Sequence, residues 1–421
     1  MSANKVIIIG GGISGLSSAR YLAKAGWQVT VLEKGDFTDG CSYGNAGFVC
    51  PSHYVQLATP GIARQGLKWM FKNTSPFYIQ PRLDPHLLRW GIHFLKRAKQ
   101  RYVDINGAPL RDIGLLSQQE YENVWIREIN FDYQHNGMLE VFQTPKARKE
   151  CEYIAKMGQN LGLDIELVDK AGLEMLEPDV RWNALGAVNY KCDGHLNPAK
   201  LMQGLYKQLE KEGVQLIAHA EVTGFKKEGK LISEVHVGEQ TYPADSVVLA
   251  AGSWSEQLAR ELHINLPVVG GRGYSFLAPI TAGDGQHMKR PGLLVEGRAA
   301  FTPLGDQVRF GGTLEIRKLD APLALNRVRG IIHAVHQFFP DYQLDFEEIR
   351  PRIWSGFRPV SVDGMPYLGK SPALDNLVIA AGHAQLGISL GAATGLLVSE
   401  LVRGVDTTIN ISTFGVNRFN N

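Results

Sequence analysis

The chain has 421 residues, 44 of them basic and 42 acidic, for a formal net charge of +2, with 44% hydrophobic and 20% charged side chains. At about 100–200 residues per domain this predicts two or three domains with sizeable cores; it excludes disorder, collagen and coiled coil, and it argues against nucleic acid as the main partner. Four cysteines cannot form a disulfide framework, and no two of Cys41, Cys50, Cys151 and Cys192 stand at metal-ligand spacing, so a reducing compartment is the simplest expectation.

From the amino terminus, Met1 to Lys5 leads into only four apolar residues, Val6 to Ile9, before three glycines. That run is too short for a signal-peptide core. No stretch approaches the ~20 apolar residues of a membrane span. The expectation is a soluble, cytoplasmic protein or one bound peripherally at the inner face of the cell membrane. Lys5 to Ile9 is short, continuous and β-branched, the pattern of a parallel, fully buried strand. Gly10-Gly11-Gly12-Ile13-Ser14-Gly15 follows, giving GxGxxG. Ser14 to Ala25 carries apolar residues at helical spacing, with Gly26 as the C-terminal cap. Gln28 to Leu32 reads as a second strand, ending at Glu33.

The physics of this unit suits a dinucleotide. Gly10 permits a tight turn, Gly12 lets the backbone approach a pyrophosphate, and Gly15 allows close helix–strand packing. The helix start faces the phosphates with free N–H groups and the positive end of its dipole. Glu33 is placed to accept ribose hydroxyls, and its charge would repel a 2′-phosphate. A lone GxGxxG is weak, but here strand, helix, strand and terminal acid fall within one βαβ unit. A glycine-rich turn of some other α/β fold is the competing reading. No second GxGxxG follows a later strand, so nothing indicates a separate nicotinamide domain. Two segments favour a flavin. Ser246 to Gly252 is a hydrophobic strand ending in a small-residue turn before Ser253-Trp254. Asn376 to His383 is another, followed by Leu386 to Gly391 and a helix expected from about Ala392 to Arg403. That helix would set a second N-terminus beside a ring that becomes anionic on reduction.

The segments Cys41-Ser42-Tyr43-Gly44-Asn45-Ala46-Gly47, Lys68-Trp69-Met70, Gly273-Tyr274-Ser275, Gly356-Phe357-Arg358-Pro359-Val360, Asp363-Gly364-Met365-Pro366 and Gly382-His383 join this unit across nearly the whole chain. Together they resemble the amino-acid oxidases and dehydrogenases of the glutathione-reductase-type FAD fold. The chain is similar to D-amino acid dehydrogenases, glycine oxidase and sarcosine oxidase, and the dehydrogenase branch matches best, through Asn45-Ala46-Gly47 and Lys68-Trp69-Met70. The resemblance implies an α/β protein: a Rossmann FAD-binding domain (residues 1–60, 196–255 and 350–421) interleaved with an α+β substrate domain on a mainly antiparallel sheet (residues 61–195 and 256–349). Local patterns agree. Gly137 to Phe142, Gly186 to Tyr190, Gly273 to Leu277, Gly292 to Glu296 and Gln307 to Phe310 read as strands, Asn197 to Glu212 as an amphipathic helix, and Val214 to Leu249 as a small meander.

The resemblance also implies the cofactor contacts. They are Gly10, Gly12, Ile13, Ser14, Gly15, Glu33, Lys34, Ser42, Asn45, Ala46, Gly47, Val222, Ala251, Gly252, Trp254, Gly382, His383, Leu386, Gly387 and Ile388. At His383 the backbone is expected to matter more than the ring. Some relatives attach FAD covalently through a His in the loop after the second strand, or through a late Cys. Gly44 stands where that His would be, and the last cysteine is Cys192, so noncovalent FAD is expected.

No metal constellation and no GxSxG elbow is present. Passing hydride from the α-carbon of a neutral amine to flavin N5 needs no acid–base residue in principle, but a substrate carboxylate needs a cation. Arg358 lies in the setting of the family's carboxylate-binding Arg, and its planar fork would fix which face of the α-carbon meets the flavin. A structural ion pair is the competing reading. Tyr274 is placed either to donate to the same carboxylate or to fill the core at a strand start. Arg272 and His53 follow, with packing or surface roles as their ordinary readings. The activity implied is oxidation of a free amino acid, D-series favoured, to the imino acid, which water converts to the 2-oxo acid and ammonia. D-Proline or D-hydroxyproline, glycine or sarcosine, and L-amino acids are the other substrate classes, and a flavoprotein without turnover is the other functional class. Finally, residues 61–103 hold Arg64, Lys68, Lys72, Arg82, Arg89, Lys96, Arg97, Lys99 and Arg101 against only Asp84, a net +8, interleaved with Trp69, Phe71, Phe77, Tyr78, Trp90, Phe94 and Tyr102. This suits contact with an anionic membrane and a quinone or another electron acceptor, or else a solvated helix pair whose aromatics face the core.

Overall fold

The computed structural model describes residues 4–38, 40–61, 76–279 and 288–419. Lys68-Trp69-Met70 and, within the basic segment, Arg64, Phe71 and Lys72 lie outside the described residues. Two large sheets organise the rest. The first has six strands in the order Tyr367–Lys370, Leu377–Ala381, Ser246–Leu249, Lys5–Ile9, Gln28–Leu32 and Gln215–Ile217. Every pairing is parallel except that of the edge strand Tyr367–Lys370. Lys5–Ile9 is central and covered on both faces, which is why it reads as an unbroken apolar run. Val6 and Ile8 pack with Leu16, Ala19 and Leu390 of the helical side. Ile7 and Ile9 pack with Ile232 and Val235 of a three-stranded antiparallel layer, Gly224–Glu228, Leu231–Val237 and Gln240–Pro243. The expected meander therefore divides: Gln215–Ile217 joins the parallel sheet, and only the next three strands form the layer below it.

The second sheet has nine strands. Trp354–Ser361, Val268–Pro279, Gln307–Ile316, Ala299–Leu304, Gly292–Leu294, Met138–Phe142, Gly186–Tyr190 and Ile165–Asp169 lie side by side, and Phe77–Ile79 pairs with Gln307–Ile316. It is mainly antiparallel; Gly292–Leu294 with Met138–Phe142, and Phe77–Ile79 with Gln307–Ile316, are parallel. Phe276, Phe301 and Phe310 fill its core under Val335, Phe338 and Phe339 at the end of helix Asn326–Phe338.

One helix differs from expectation. The last long helix runs Gly387–Arg403 and so begins five residues before Ala392. Gly391, in the stretch before the expected start, is unfavourable to a helix by propensity. Here it is required by packing, as is Gly395 within the expected helix: a Cβ at Gly391 would lie 2.5 Å from Ile13 Cγ1, and one at Gly395 2.5 Å from the backbone of Ser17. The helix thus lies backbone-close against helix Ile13–Lys24. Helix Gln100–Asn123 packs along it as well, with Tyr121 Oη donating to the Ile388 carbonyl at 2.7 Å.

In the described part of the basic segment, helix Pro85–Arg97 is capped by Asp84, which accepts from the N–H groups of His86 and Leu87. Its aromatics face inward. Trp90 is buried, donates Nε1–H to the Val360 carbonyl (3.1 Å) and stacks on Phe94 (5.0 Å between centroids). Leu88, Ile92 and Leu95 are exposed instead, next to exposed Arg89, Lys96 and Lys99. Among the described residues no helix is long and apolar enough to cross a membrane.

Candidate active site

A cavity of about 1510 Å³ runs between the two sheets. Sites for single small molecules span roughly 300–1,000 Å³, so this one has room for an extended dinucleotide and a small second ligand. One wall is built from the parallel sheet. Gly10 adopts φ +109°, which side chains rarely tolerate, and a Cβ there would lie 2.5 Å from the Ala250 carbonyl oxygen; one on Gly15 would overlap the Gly10 carbonyl. Gly12 is different. Within the protein a Cβ would meet nothing closer than Ser42 Oγ at 3.6 Å, and the residue lines the cavity, so its missing side chain leaves room for a ligand.

Two helices start at this wall. Helix Ile13–Lys24 has Gly12 as its N-cap and no side-chain cap, although Ile13 N–H donates to Ser42 Oγ at 3.1 Å. Helix Gly387–Arg403 starts after Leu386, also without a side-chain cap. Ile13, Ser14, Leu386, Gly387 and Ile388 all line the cavity. Uncapped N–H groups at a helix start suit a phosphate or an anionic ring edge. Glu33 is held by two backbone donors, Gly11 N–H at 2.6 Å and Gly35 N–H at 2.8 Å, and still has lone pairs for ribose hydroxyls. Lys34 sits 3.4 Å above the ring centroid of Trp254. Ser42, Asn45, Ala46, Val222, Ala251, Gly252 and His383 complete the lining. Gly15, Gly47, Gly382 and Arg272 lie off it. The His383 ring is buried and shares a hydrogen bond with Thr394 Oγ1 at 3.0 Å; burial lowers its pKa to about 4, so it is neutral at pH 7. A side chain on Gly44 would overlap the Trp354 ring, so no flavin-tethering His fits at that position.

The other wall is the antiparallel sheet. Arg358 lies on Trp354–Ser361, opposite Gly271, and its guanidinium crosses over Gly273, where a Cβ would overlap it. Nη1 donates to the carbonyl of Thr313, whose φ is +63°. Among the described residues no carboxylate lies within ion-pair distance of Arg358. Burial lowers its pKa to about 10, which leaves it cationic at neutral pH.

The other sequence candidates have different positions. The Tyr274 hydroxyl donates to Glu315 Oε2 at 2.9 Å and accepts from Ala324 N–H at 2.9 Å. Glu315 is in turn paired with Arg327 at 2.8 Å. The single Tyr274 proton is thus used inside the protein, and in this structure none is left for a substrate carboxylate. Arg272 donates to the Pro322 carbonyl (3.0 Å) and the Leu319 carbonyl (3.4 Å) and stacks over Phe357, tying a loop to the sheet. His53 lines the cavity and stacks near Phe48; burial lowers its pKa to about 4.

Three residues that sequence reasoning passed over hold the 43–47 loop. Arg309 Nη1 donates to the carbonyls of Tyr43 (3.0 Å) and Asn45 (2.7 Å), Ser275 Oγ to that of Gly44 (2.9 Å), and Thr302 Oγ1 to that of Ala46 (2.7 Å). Arg309 left a signal: it alternates with core residues Val308 and Phe310, so a charge shares the strand with a buried face. Burial lowers its pKa to about 10.

Comparison with known proteins agrees with this geometry. The chain is 30% identical over 420 residues to a D-amino acid dehydrogenase of Vibrio vulnificus, covering 95% of this chain and 96% of that one. Its fold matches glycine oxidase from Geobacillus kaustophilus with a TM-score of 0.74 at 22% identity, over 99% of both chains. It also matches L-proline dehydrogenase from P. horikoshii with a TM-score of 0.72 at 18% identity, over 99% of this chain and 98% of that one. The model of the FAD dependent oxidoreductase family matches residues 5–401, and this chain, with its cradle for a dinucleotide and its mainly antiparallel second sheet, belongs to that family of FAD-dependent enzymes.

Proposed function

We propose that the protein is a dehydrogenase of free amino acids, with D-amino acids as substrates. The observation that carries this reading is Arg358, a half-buried guanidinium on the cavity wall without a carboxylate partner among the described residues. A partly desolvated charge without a partner is costly, and a ligand carboxylate would complete it. Gly12, Ile13, Ser14, Glu33, residues 42–46 and the start of Gly387–Arg403 would hold FAD, which when bound supplies the acceptor for the two electrons leaving the α-carbon. Arg358 binds the substrate carboxylate and thereby sets which face of the α-carbon is presented. The neutral rings of His53 and His383 add no positive charge that would oppose an incoming ammonium. The amine reacts as its free base, and the imino acid then takes up water and loses ammonia in solution. The D-series is favoured by the full-length likeness to D-amino acid dehydrogenases.

The test is anaerobic mixing of the holoenzyme with a panel of D- and L-amino acids, D-proline derivatives, glycine, sarcosine and the matching decarboxylated amines. Rapid bleaching of the flavin band by D-amino acids and not by the amines is expected. Bleaching by L-amino acids alone would overturn the stereochemical part, and none with any amino acid would overturn the whole.

The electron acceptor is a membrane quinone, reached by peripheral binding. Supporting this are the exposed apolar residues Leu83, Leu88, Ile92 and Leu95, the last three at the rim of the cavity, next to Arg89, Lys96 and Lys99. The protein should float with anionic vesicles at low salt and dissociate as the Debye length falls from ~30 Å at 0.01 M to ~8 Å at 0.15 M. Equal recovery with neutral and anionic vesicles would contradict it.

A further inference from the structure

The five consecutive carbonyls of Tyr43 to Gly47 are all taken by groups outside the loop. Arg309, Ser275 and Thr302 hold the first four, and Leu196 N–H holds that of Gly47 at 2.8 Å. The N–H groups of Gly44 and Ala46 have no acceptor among the described residues, and both residues line the cavity. A loop so held turns its carbonyls to the antiparallel sheet and leaves backbone donors for the cofactor.

Hydroxyls suffice for two of these carbonyls, yet the other two are held by a charge. Arg309 is only 8% exposed. Of the other buried arginines, Arg20 and Arg327 have carboxylate partners, Glu128 and Glu315, whereas Arg272 has carbonyls only and lies off the cavity. Arg309 has none among the described residues, it lines the cavity, and only its Nη1 bonds to them. Arg358 has the substrate carboxylate as its counter-charge in the reading above, which leaves Arg309 as a second cation facing the cavity without a negative charge. The cavity's other ligand supplies one, because the flavin ring gains two electrons and can take up a single proton.

We propose that Arg309 is the cation that offsets the negative charge of the reduced flavin while it positions the 43–47 loop, so that this residue sets the cofactor's reduction potential. The inference rests on the FAD site described above and does not depend on which amino acid is the substrate.

The experiment is a potentiometric titration of the holoenzyme against reference dyes, without amino acid. Arg309→Met should lower the two-electron midpoint potential by about 60 mV, a hundredfold change at 29.6 mV per tenfold. Arg309→Lys should recover most of that shift. Thr302→Val removes a loop hydrogen bond but no charge; it should move the potential by less than about 30 mV, one tenfold step in the equilibrium constant, while weakening FAD binding. Equal shifts in Arg309→Met and Thr302→Val, or no recovery with Lys, would overturn the electrostatic role. The unaltered protein provides a check that needs no variant to fold. An anionic reduced ring takes up one proton with two electrons, so the potential should fall by about 30 mV per pH unit. A slope of about 59 mV would mean a neutral reduced ring, which leaves Arg309 no charge to offset.

Discussion

The parallel-sheet wall of the cavity offers a ligand backbone donors at two uncapped helix starts and the acid Glu33. The antiparallel wall meets it with the side-chain cations Arg358 and Arg309. The difference has a practical meaning. Backbone N–H groups cannot be removed by substitution, so the first wall is broken by adding bulk that displaces it. A guanidinium can be deleted, so the second wall is broken by removing charge.

The largest effect is expected where bulk meets backbone. Gly395→Val would press a branched side chain onto Ser17 and separate the two helices whose starts form the first wall. Strain of this kind costs on the order of 3 kcal/mol or more. A thermal melt should show a loss of several degrees together with weaker FAD retention, and an unchanged melt would mean that the helices have slack. Next is Glu33→Ala, which removes the carboxylate acceptor at the end of strand Gln28–Leu32. Loss of a charge-assisted acceptor costs about 1.5–3 kcal/mol, so the FAD Kd should rise about 10- to 150-fold. Equal Kd values would place the ribose elsewhere.

A third prediction concerns proton-linked stability behind the cavity. Asp193 is buried, accepts from Ser52 N–H (3.1 Å) and Ser52 Oγ (2.5 Å), and burial raises its pKa from 3.8 to about 7. Its folded pKa is above the unfolded value, so its contribution is full below pH 3.8 and is lost as pH rises toward 7. Asp193→Asn should remove this dependence. The melting temperature of the unaltered protein minus that of the variant should therefore be larger at pH 5 than at pH 8, and a difference that grows with pH would show the sign to be wrong. The smallest effect is expected at Tyr274. Tyr274→Phe loses its bonds to Glu315 and Ala324, worth about 1 kcal/mol each in stability, with substrate KM unchanged. A tenfold rise in KM would return Tyr274 to the carboxylate site.

How legible each wall is follows from how it is made. The first is assembled within single βαβ units, so strand, glycines, helix and acid stand in order from Lys5 to Glu33 and their spacing alone defines the turn. The exception is the start of Gly387–Arg403, where Gly391, which serves packing against Ile13, reads as a loop residue. The second wall joins strands far apart in sequence. Arg358 stood in a recognisable motif, but nothing near Tyr274 announced that Glu315 and Ala324 would use its hydroxyl, and nothing near Arg272 announced the carbonyls of Leu319 and Pro322. Those partners depend on the pairing of Val268–Pro279 with Gln307–Ile316 and on the loop beyond it. Arg309 acts on a loop 264 residues away in sequence, and only the folded sheet brings the two together.

The most direct test of the account is the comparison of Arg358→Leu with Arg358→Lys in the FAD-loaded enzyme. Losing one partner of a buried charge pair costs on the order of 3–5 kcal/mol, so Arg358→Leu should lower kcat/KM for a D-amino acid by about 10²–10⁴-fold. FAD should stay bound, because the proposed dinucleotide cradle lies on the other wall, and discrimination against decarboxylated amines should shrink. Arg358→Lys should recover only part of the loss, since an ammonium keeps the charge but not the fork. Near-normal kcat/KM in Arg358→Leu with FAD still bound would contradict the account and place the carboxylate on another cation.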